Sequence, residues 1–391
     1  MTRPTTCHNC GHNGLEIYQQ FEKLGLVTSD CRPCRGTLRL ARCPECGLLQ
    51  KLVDQDFSDT CTLIYDQYDA YHQAGGQEQQ TYSDDGQGCA RSRKLLEGVL
   101  DHFPLPDTGR LLDVGCGNGV LLRSFGTLRP SWRLHGLDLN DHAREQVLSI
   151  PGVEAFHACD LDAVPAAFDA LSMLHCLEHV PDPVAFLRKC MDRLAAGGLL
   201  LVQVPDFTAN PFDLVIADHC SHFEPATLRE VVRRAGFEIV VLRQGLVPKE
   251  LTLLARRPAP EAQAAVAMDT APAPGLPKRA DTARIADALA WLAALLDQAR
   301  DLCREPLGVF GTSIAGIWLL GQLGDGLRFF VDEDVNRAGR TLFGKPVHLP
   351  ADAPAGSRVL VALPSFIAEN VVRRLREAGL DPTPPRHFPG P

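Results

Sequence analysis

The stretch LLDVGCGNGVLL, Leu111–Leu122, decides how the chain is read. An apolar run ends in Asp113. Glycines follow at alternate positions, Gly115, Gly117 and Gly119, and apolar residues resume at once. The pattern predicts a strand, a tight turn and a helix. Glycines at such a turn let backbone approach a ligand closely, and the helix start near Asn118 favours an anionic group such as a carboxylate.

Working outward, RLLDV, WRLHGLDL, VEAFHACD, FDALSML, GLLLVQVP, FEIVVLR and ELTLLA read as strands, with helix-like segments between most of them. That alternation predicts an α/β fold with a mostly parallel sheet covered on both faces. The last two strands are close enough in sequence to form a hairpin at one edge. The second strand ends at Asp138, 19 residues after Gly119. A carboxylate there can accept from both hydroxyls of a ribose. The third ends at Cys159-Asp160-Leu161, where an acid can take the exocyclic amine of adenine. The fourth runs into LHCLEHVPDP.

This order resembles the class I S-adenosylmethionine-dependent methyltransferases over residues 91–256. The resemblance implies a Rossmann-like seven-stranded sheet and an S-adenosylmethionine site. It places the backbone of Gly115, Cys116, Gly117, Asn118 and Gly119 against the methionine part of the cofactor. It places Asp113 at the amino acid end, Asp138 with Leu139 at the ribose, Asp160 with Leu161 at the adenine, and His175 beside the cofactor.

Six of fourteen cysteines fall in the first 46 residues as pairs, Cys7/Cys10, Cys31/Cys34 and Cys43/Cys46. CHNCG and CPECG carry two residues between thiols and a glycine after the second, a knuckle that aims both sulfurs at one ion. Two knuckles make a four-sulfur structural zinc site from Cys7, Cys10, Cys43 and Cys46. CRPCR lacks the glycine; in the competing arrangement Cys31 and Cys34 replace Cys43 and Cys46. Arg32, Arg35, Arg39 and Arg42 form a basic cluster, read either as a solvated face or as a docking surface for phosphate.

The flanks narrow the resemblance. CPECGLLQ with IYDQYDAYHQAGG is similar to the zinc-binding domain ahead of some of these methyltransferases, and VFGTSIAG…FVDEDVNRAGRTLFGKPVHLP is similar to the domain that follows them. The three-part order resembles the sugar C-methyltransferases, which act on nucleotide-linked keto-sugars. Their Tyr-x-Glu-His segment with a later Tyr-Phe corresponds here to VIADHCSHF: Asp218 and His219 match Glu-His, Ile216 stands for the first tyrosine and His222 for the later one. The resemblance implies His219 as a general base, with Asp218 holding its ring or raising its basicity and His222 as a further catalytic candidate. His175 and His179 complete a set of four histidines around the expected cleft.

These readings divide the chain into a zinc-binding module (1–55), a connector (56–90), the methyltransferase sheet (91–256), a linker (257–280) with eight Ala and five Pro, and a C-terminal helix plus smaller Rossmann-like α/β unit (281–391). In that helix Ile285, Leu289, Leu292 and Leu296 share one face. Asp332 follows Gly311 by 21 residues, but the loop lacks GxGxxG, so a packing and substrate-holding role is expected over nicotinamide binding. The net charge is −9, which argues against nucleic acid as the main partner. No apolar signal segment stands in MTRPTTCHNC and no stretch is long enough to span a membrane, so a cytoplasmic enzyme with reduced or metal-bound thiols is expected. The expected partner is a small-molecule acceptor, a nucleotide-linked sugar by the resemblance. The alternatives are an O- or N-methyltransferase of another small molecule, and an RNA methyltransferase that holds RNA with the zinc module.

Overall fold

The computed structural model describes residues 6–69, 72–78, 80–82, 88–259 and 282–388. The seven expected strands form one sheet: Arg110–Val114, Arg133–Asp138, Val153–Ala158, Phe168–Leu174, Leu194–Pro205, Glu238–Gln244 and Glu250–Arg256. Their spatial order is third, second, first, fourth, fifth, seventh, sixth. The first five are parallel, and the last two close the edge as an antiparallel pair with the seventh against the fifth. Central positions such as Leu112, Leu171, Leu200 and Val202 are fully buried, which explains their near-continuous apolar runs. Strand order reverses between the first and fourth strands, and the crevice outside their carboxyl ends is where such sheets bind ligands. The fold is thus the α/β methyltransferase architecture.

A second, four-stranded antiparallel sheet joins distant parts of the chain. Glu16–Ile17, Leu40–Arg42 and Leu49–Lys51 come from the cysteine-rich end; the fourth strand is Ser221–His222. Ser221 stands opposite Gln50 and His222 opposite Leu49. On the other side of the same segment, the amide of Ala217 donates to the Val27 carbonyl at 2.7 Å. The 216–222 stretch is therefore held between two parts of the N-terminal unit.

A third, six-stranded sheet lies toward the C-terminus in the order Thr341–Leu342, Lys345–His348, Leu327–Val331, Leu307–Phe310, Arg358–Leu360, Asp381–Thr383. The helix Thr282–Leu302 buries the predicted face, Ile285, Leu289, Leu292 and Leu296. One apolar core gathers Phe21 and Val27, Phe212 with Leu214, Val215, Ile216 and Ala217, and Trp291, Leu292 and Trp318. The Phe212 ring meets Trp291 and Trp318 edge-on at centroid distances of 5.4 and 5.8 Å, and Trp318 Nε1 donates to the Leu24 carbonyl at 2.9 Å. Asp332 is turned inward, accepting from the Thr312 amide and hydroxyl at 2.9 and 2.7 Å. Of the expected linker, only residues 257–259 are described; the rest lies outside the described residues.

Candidate active site

The glycine turn is shaped by the neighbouring strand. The Leu137 carbonyl accepts from the amides of Gly115 and Cys116 at 2.8 and 3.0 Å. Gly115, Gly117 and Gly119 have φ of 72°, 50° and 79°, the left-handed region that glycine enters without steric cost. The three differ in purpose. A Cβ on Gly119 would lie 2.5 Å from Ile150 Cδ1, so that glycine admits close packing, whereas a Cβ on Gly117 would meet nothing within 4 Å. Gly117 faces open space at the crevice. The helix begins at Val120 with Gly119 as its cap, one residue later than Asn118, whose side-chain amide instead donates to the Gly76 carbonyl at 2.9 Å.

Asp138 reaches this turn, its two carboxylate oxygens accepting from the amides of Gly117 and Leu139 at 2.8 and 2.7 Å. Leu139 beside it is 81% exposed, an apolar side chain left in water at a sheet's ligand edge. Asp160 is exposed one strand further out, with Leu161 buried beneath it. His175 has φ 51° and lies 2.5 Å from Arg91 and 3.2 Å from the Glu178 carboxylate. Asp113 differs from these. It is buried under the turn, accepts from Ser172 Oγ at 2.7 Å, and burial, with Asp138 nearby, pushes its pKa up to about 7. The open cradle over Gly117, carboxylates at successive strand ends and the exposed Leu139 fit a small zwitterionic nucleoside such as S-adenosylmethionine.

Beyond the fourth and fifth strands lies a buried polar cluster. His219 Nδ1 bonds Asp213 Oδ1 at 2.7 Å, and the ring is 4.6 Å from that of His179, edge-on. Asp213, in the turn Pro211–Val215, was not singled out from the sequence; its partners stand six and nine residues away across an irregular turn, a spacing with no helix or strand period. Asp218, expected to hold the His219 ring or raise its basicity, does not bond the ring but is among the charges that raise its pKa. Its carboxylate accepts from the Ser29 amide and hydroxyl at 2.9 and 2.5 Å and lies 3.4 Å from His179 Nδ1. His222 is completely buried with Nδ1 on Asp213 Oδ2 at 2.6 Å, so it does not face the crevice. Tyr65 brings its hydroxyl to 3.2 Å from His179 Nδ1. Burial opposes charge on His219, but the Asp213 bond and charge, with Glu178 and Asp218, outweigh it and raise its pKa above the usual imidazole value. Burial likewise opposes ionisation of Asp213, and His222 and His219 overcome it to hold that carboxyl well below the usual range. Glu178, His179 and His219 place one donor atom each within 4.8 Å of one another, a spacing that could hold a metal ion.

Cys7, Cys10, Cys43 and Cys46 converge, with Sγ–Sγ distances of 3.4 Å (Cys7–Cys46) and 3.5 Å (Cys10–Cys43) and all four sulfurs within 4.8 Å. Sulfurs at about 2.3 Å from a tetrahedral ion would stand about 3.8 Å apart, so the donor set fits zinc. Cys31 sits instead in the apolar core. In the basic cluster, Arg32, Arg39 and Arg42 are paired with Asp30, Asp54 and Glu16, which leaves little free charge for phosphate. No helix among the described residues is long and apolar enough to cross a membrane.

A family model described as a methyltransferase domain matches residues 89–242. A ubiquinone biosynthesis O-methyltransferase of Ralstonia nicotianae is 30% identical over 180 residues, covering 40% of this chain and 74% of that protein. One of the same name from Xanthomonas axonopodis pv. citri is 30% identical over 161 residues, covering 34% of this chain and 64% of that protein. Among solved structures, an S-adenosylmethionine-dependent methyltransferase from Mesorhizobium loti aligns with 45% of this chain and all of its own, at 19% identity and a TM-score of 0.36.

Proposed function

The chain belongs to the class I S-adenosylmethionine-dependent methyltransferases, and from that premise we propose that it methylates a small acceptor whose proton is taken by His219. The observation that carries the reading is the Asp213–His219 pair. With Nδ1 held by a carboxylate, Nε2 is the ring nitrogen left to take a proton. Asp213 fixes the ring's orientation and stabilises the imidazolium formed when the proton arrives.

When bound, S-adenosylmethionine supplies a methyl group already activated on a sulfonium. The backbone of Gly115–Gly119 and the carboxylates of Asp138 and Asp160 hold and orient it; His175 lines the route between that site and the histidine cluster. His219 then accepts the acceptor's proton, with the acceptor aligned for in-line displacement. We further propose that Cys7, Cys10, Cys43 and Cys46 hold a structural zinc and that residues 1–55, 91–256 and 281–391 act as successive units.

Two acceptor atoms have support. The order of cysteine module, sheet and tail unit favours the carbon next to the carbonyl of a nucleotide-linked keto-sugar, which would lose its proton before attack. The names of the relatives favour an oxygen acceptor, deprotonated late. Incubating the protein with isotopically labelled S-adenosylmethionine and a metabolite extract tests the whole reading: a methyl-mass shift in a small compound is expected, and labelling of RNA alone would overturn it. Exchange of a substrate carbon-bound hydrogen in heavy water selects carbon; its absence selects oxygen or nitrogen.

A further inference from the structure

Lys51 has no part in the chemistry above, yet it is among the most buried charged groups of the molecule, with no exposed surface. It ends the strand Leu49–Lys51, whose neighbour is Ser221–His222. A buried ammonium must use its donors or give up its charge. Lys51 Nζ has three and uses three: the Ile216 carbonyl at 2.6 Å, the His219 carbonyl at 2.9 Å and His222 Nε2 at 3.1 Å.

The third contact fixes protons along a line. An ammonium only donates, so His222 Nε2 accepts. The neutral His222 ring then carries its proton on Nδ1, which donates to Asp213 Oδ2 at 2.6 Å. Asp213 remains an anionic acceptor, and its Oδ1 takes the Nδ1 proton of His219 at 2.7 Å. His219 is left with its lone pair on Nε2. We propose that Lys51 is a positioning residue for methyl transfer: through His222 and Asp213 it holds His219 in the tautomer whose Nε2 can accept a proton. The inference rests on the reading of His219 as proton acceptor.

The electrostatics agree. Burial and the adjacent Lys51 charge lower His222 to about 4, so it stays neutral at neutral pH. Burial lowers Lys51 itself to about 8, with Asp213 and Asp218 opposing, so it is still mostly charged there. The titratable groups facing this line are Asp213, Asp218, Glu178 and His179 around His219, His8 beside His222, and Cys220, Cys61 and Cys34 near Lys51. A lysine that merely tied down the 216–220 backbone would need only the two carbonyls. The contact with His222 is what makes it a proton-ordering group.

The test uses the full chain labelled with 15N-histidine. In the wild type at neutral pH, His222 is expected as a neutral ring protonated on Nδ1, and the unprotonated fraction of His219 is expected to carry its remaining proton on Nδ1 as well. His222 found protonated on Nε2, or doubly protonated, would overturn the proposal, and this measurement needs no variant. In Lys51→Met, His222 is expected to titrate at least one pH unit higher and to lose its single tautomer. The initial rate of methyl transfer into a metabolite extract should fall at least about tenfold, since a mis-set histidine tautomer is costly in such pairs, while S-adenosylmethionine affinity stays unchanged. A folded Lys51→Met protein with wild-type rate and unaltered histidine signals would overturn the proposal too. If His219→Ala kept its rate, the general-base reading would fail while the wild-type tautomers still reported on the relay by themselves.

Discussion

At the residue scale, the site divides into groups that read locally and groups that do not. Asp138 accepts two backbone amides at the turn and is the proposed ribose acceptor. Asp138→Ala is expected to weaken S-adenosylmethionine binding by about 1.5–3 kcal/mol, the range for hydrogen bonds to a charged group. Gly117→Val should weaken it more, because its side chain would enter the open space over the turn and a β-branched residue is strained at φ 50°. Calorimetry showing near-normal affinity in both variants would refute this pocket. His219→Ala should keep cofactor affinity and lose about 10²–10⁴ in rate. Because Asp213 raises the His219 pKa and the base must be unprotonated, the rate should climb with pH through a limb above 6.5. Asp213→Asn removes that charge, so the limb should move to lower pH and the plateau should drop; an unmoved limb in the pH–rate profile would count against the pair. The placement of Gly115 to Gly119, Asp138 and Asp160 at the turn and the strand ends was legible because short local elements build each position. Asp213 and Lys51 were not legible, since their meeting with His219 depends on strand Leu49–Lys51 pairing with Ser221–His222 across about 170 residues of sequence. Asp218 does not bond the His219 ring, because it sits in the 216–219 turn with its carboxylate on Ser29, and it acts on His219 through its charge.

At the scale of elements, the seven strands and the long helix were readable from period alone, including the buried face Ile285, Leu289, Leu292 and Leu296. The strand Leu194–Pro205 starts earlier than its apolar run, because Leu194–Gly197 extend it despite Gly197. The cysteine knuckles were equally local, and the glycine after each second thiol distinguishes the converging pairs from Cys31 and Cys34. Metal analysis of freshly purified protein is expected to give one zinc per chain. Cys43→Ala/Cys46→Ala should lose it, and Cys31→Ala/Cys34→Ala should keep it; the opposite outcome would reassign the ligands. Chelation should disorder the N-terminal unit, since such binding is coupled to local folding. It should reduce turnover far more than S-adenosylmethionine affinity, because the Leu49–Lys51 strand borders the histidine cluster and not the glycine turn.

At the scale of the whole molecule, the parts that the sequence separates by composition share an interior. Phe212, one residue before the aspartate that orients His219, packs between Trp291 and Trp318 of the C-terminal unit. Trp318 also bonds the Leu24 carbonyl in the N-terminal unit. The tail thus acts as a buttress for the 212–220 segment. Trp318→Ala is expected to cost about 3–5 kcal/mol of stability, as for other fully buried large aromatics. Where the variant remains folded, its rate should suffer while cofactor binding holds. A normal rate in a folded Trp318→Ala protein, or a melting temperature equal to that of the wild type, would show that the buttress is dispensable. None of this coupling was visible beforehand, because contacts between units leave no periodic trace in either partner.

The four-stranded sheet that takes its last strand from Ser221–His222 also bears on how the chain is made. The ribosome delivers Leu49–Lys51 with its outer edge unpaired, and the strand that covers it emerges about 170 residues later. At roughly 5–20 residues per second that is a wait of about 10–35 s. Through that interval the open edge is a template for pairing with other nascent chains, and the charge at its end, on Lys51, is the kind of gatekeeper that blunts such pairing. The same ammonium would then guard the chain during synthesis and be sealed in the interior when synthesis ends. Ribosome-stalled chains ending near residue 215 should therefore aggregate more when Lys51 is replaced by valine, and equal sedimentation of the two would remove the idea.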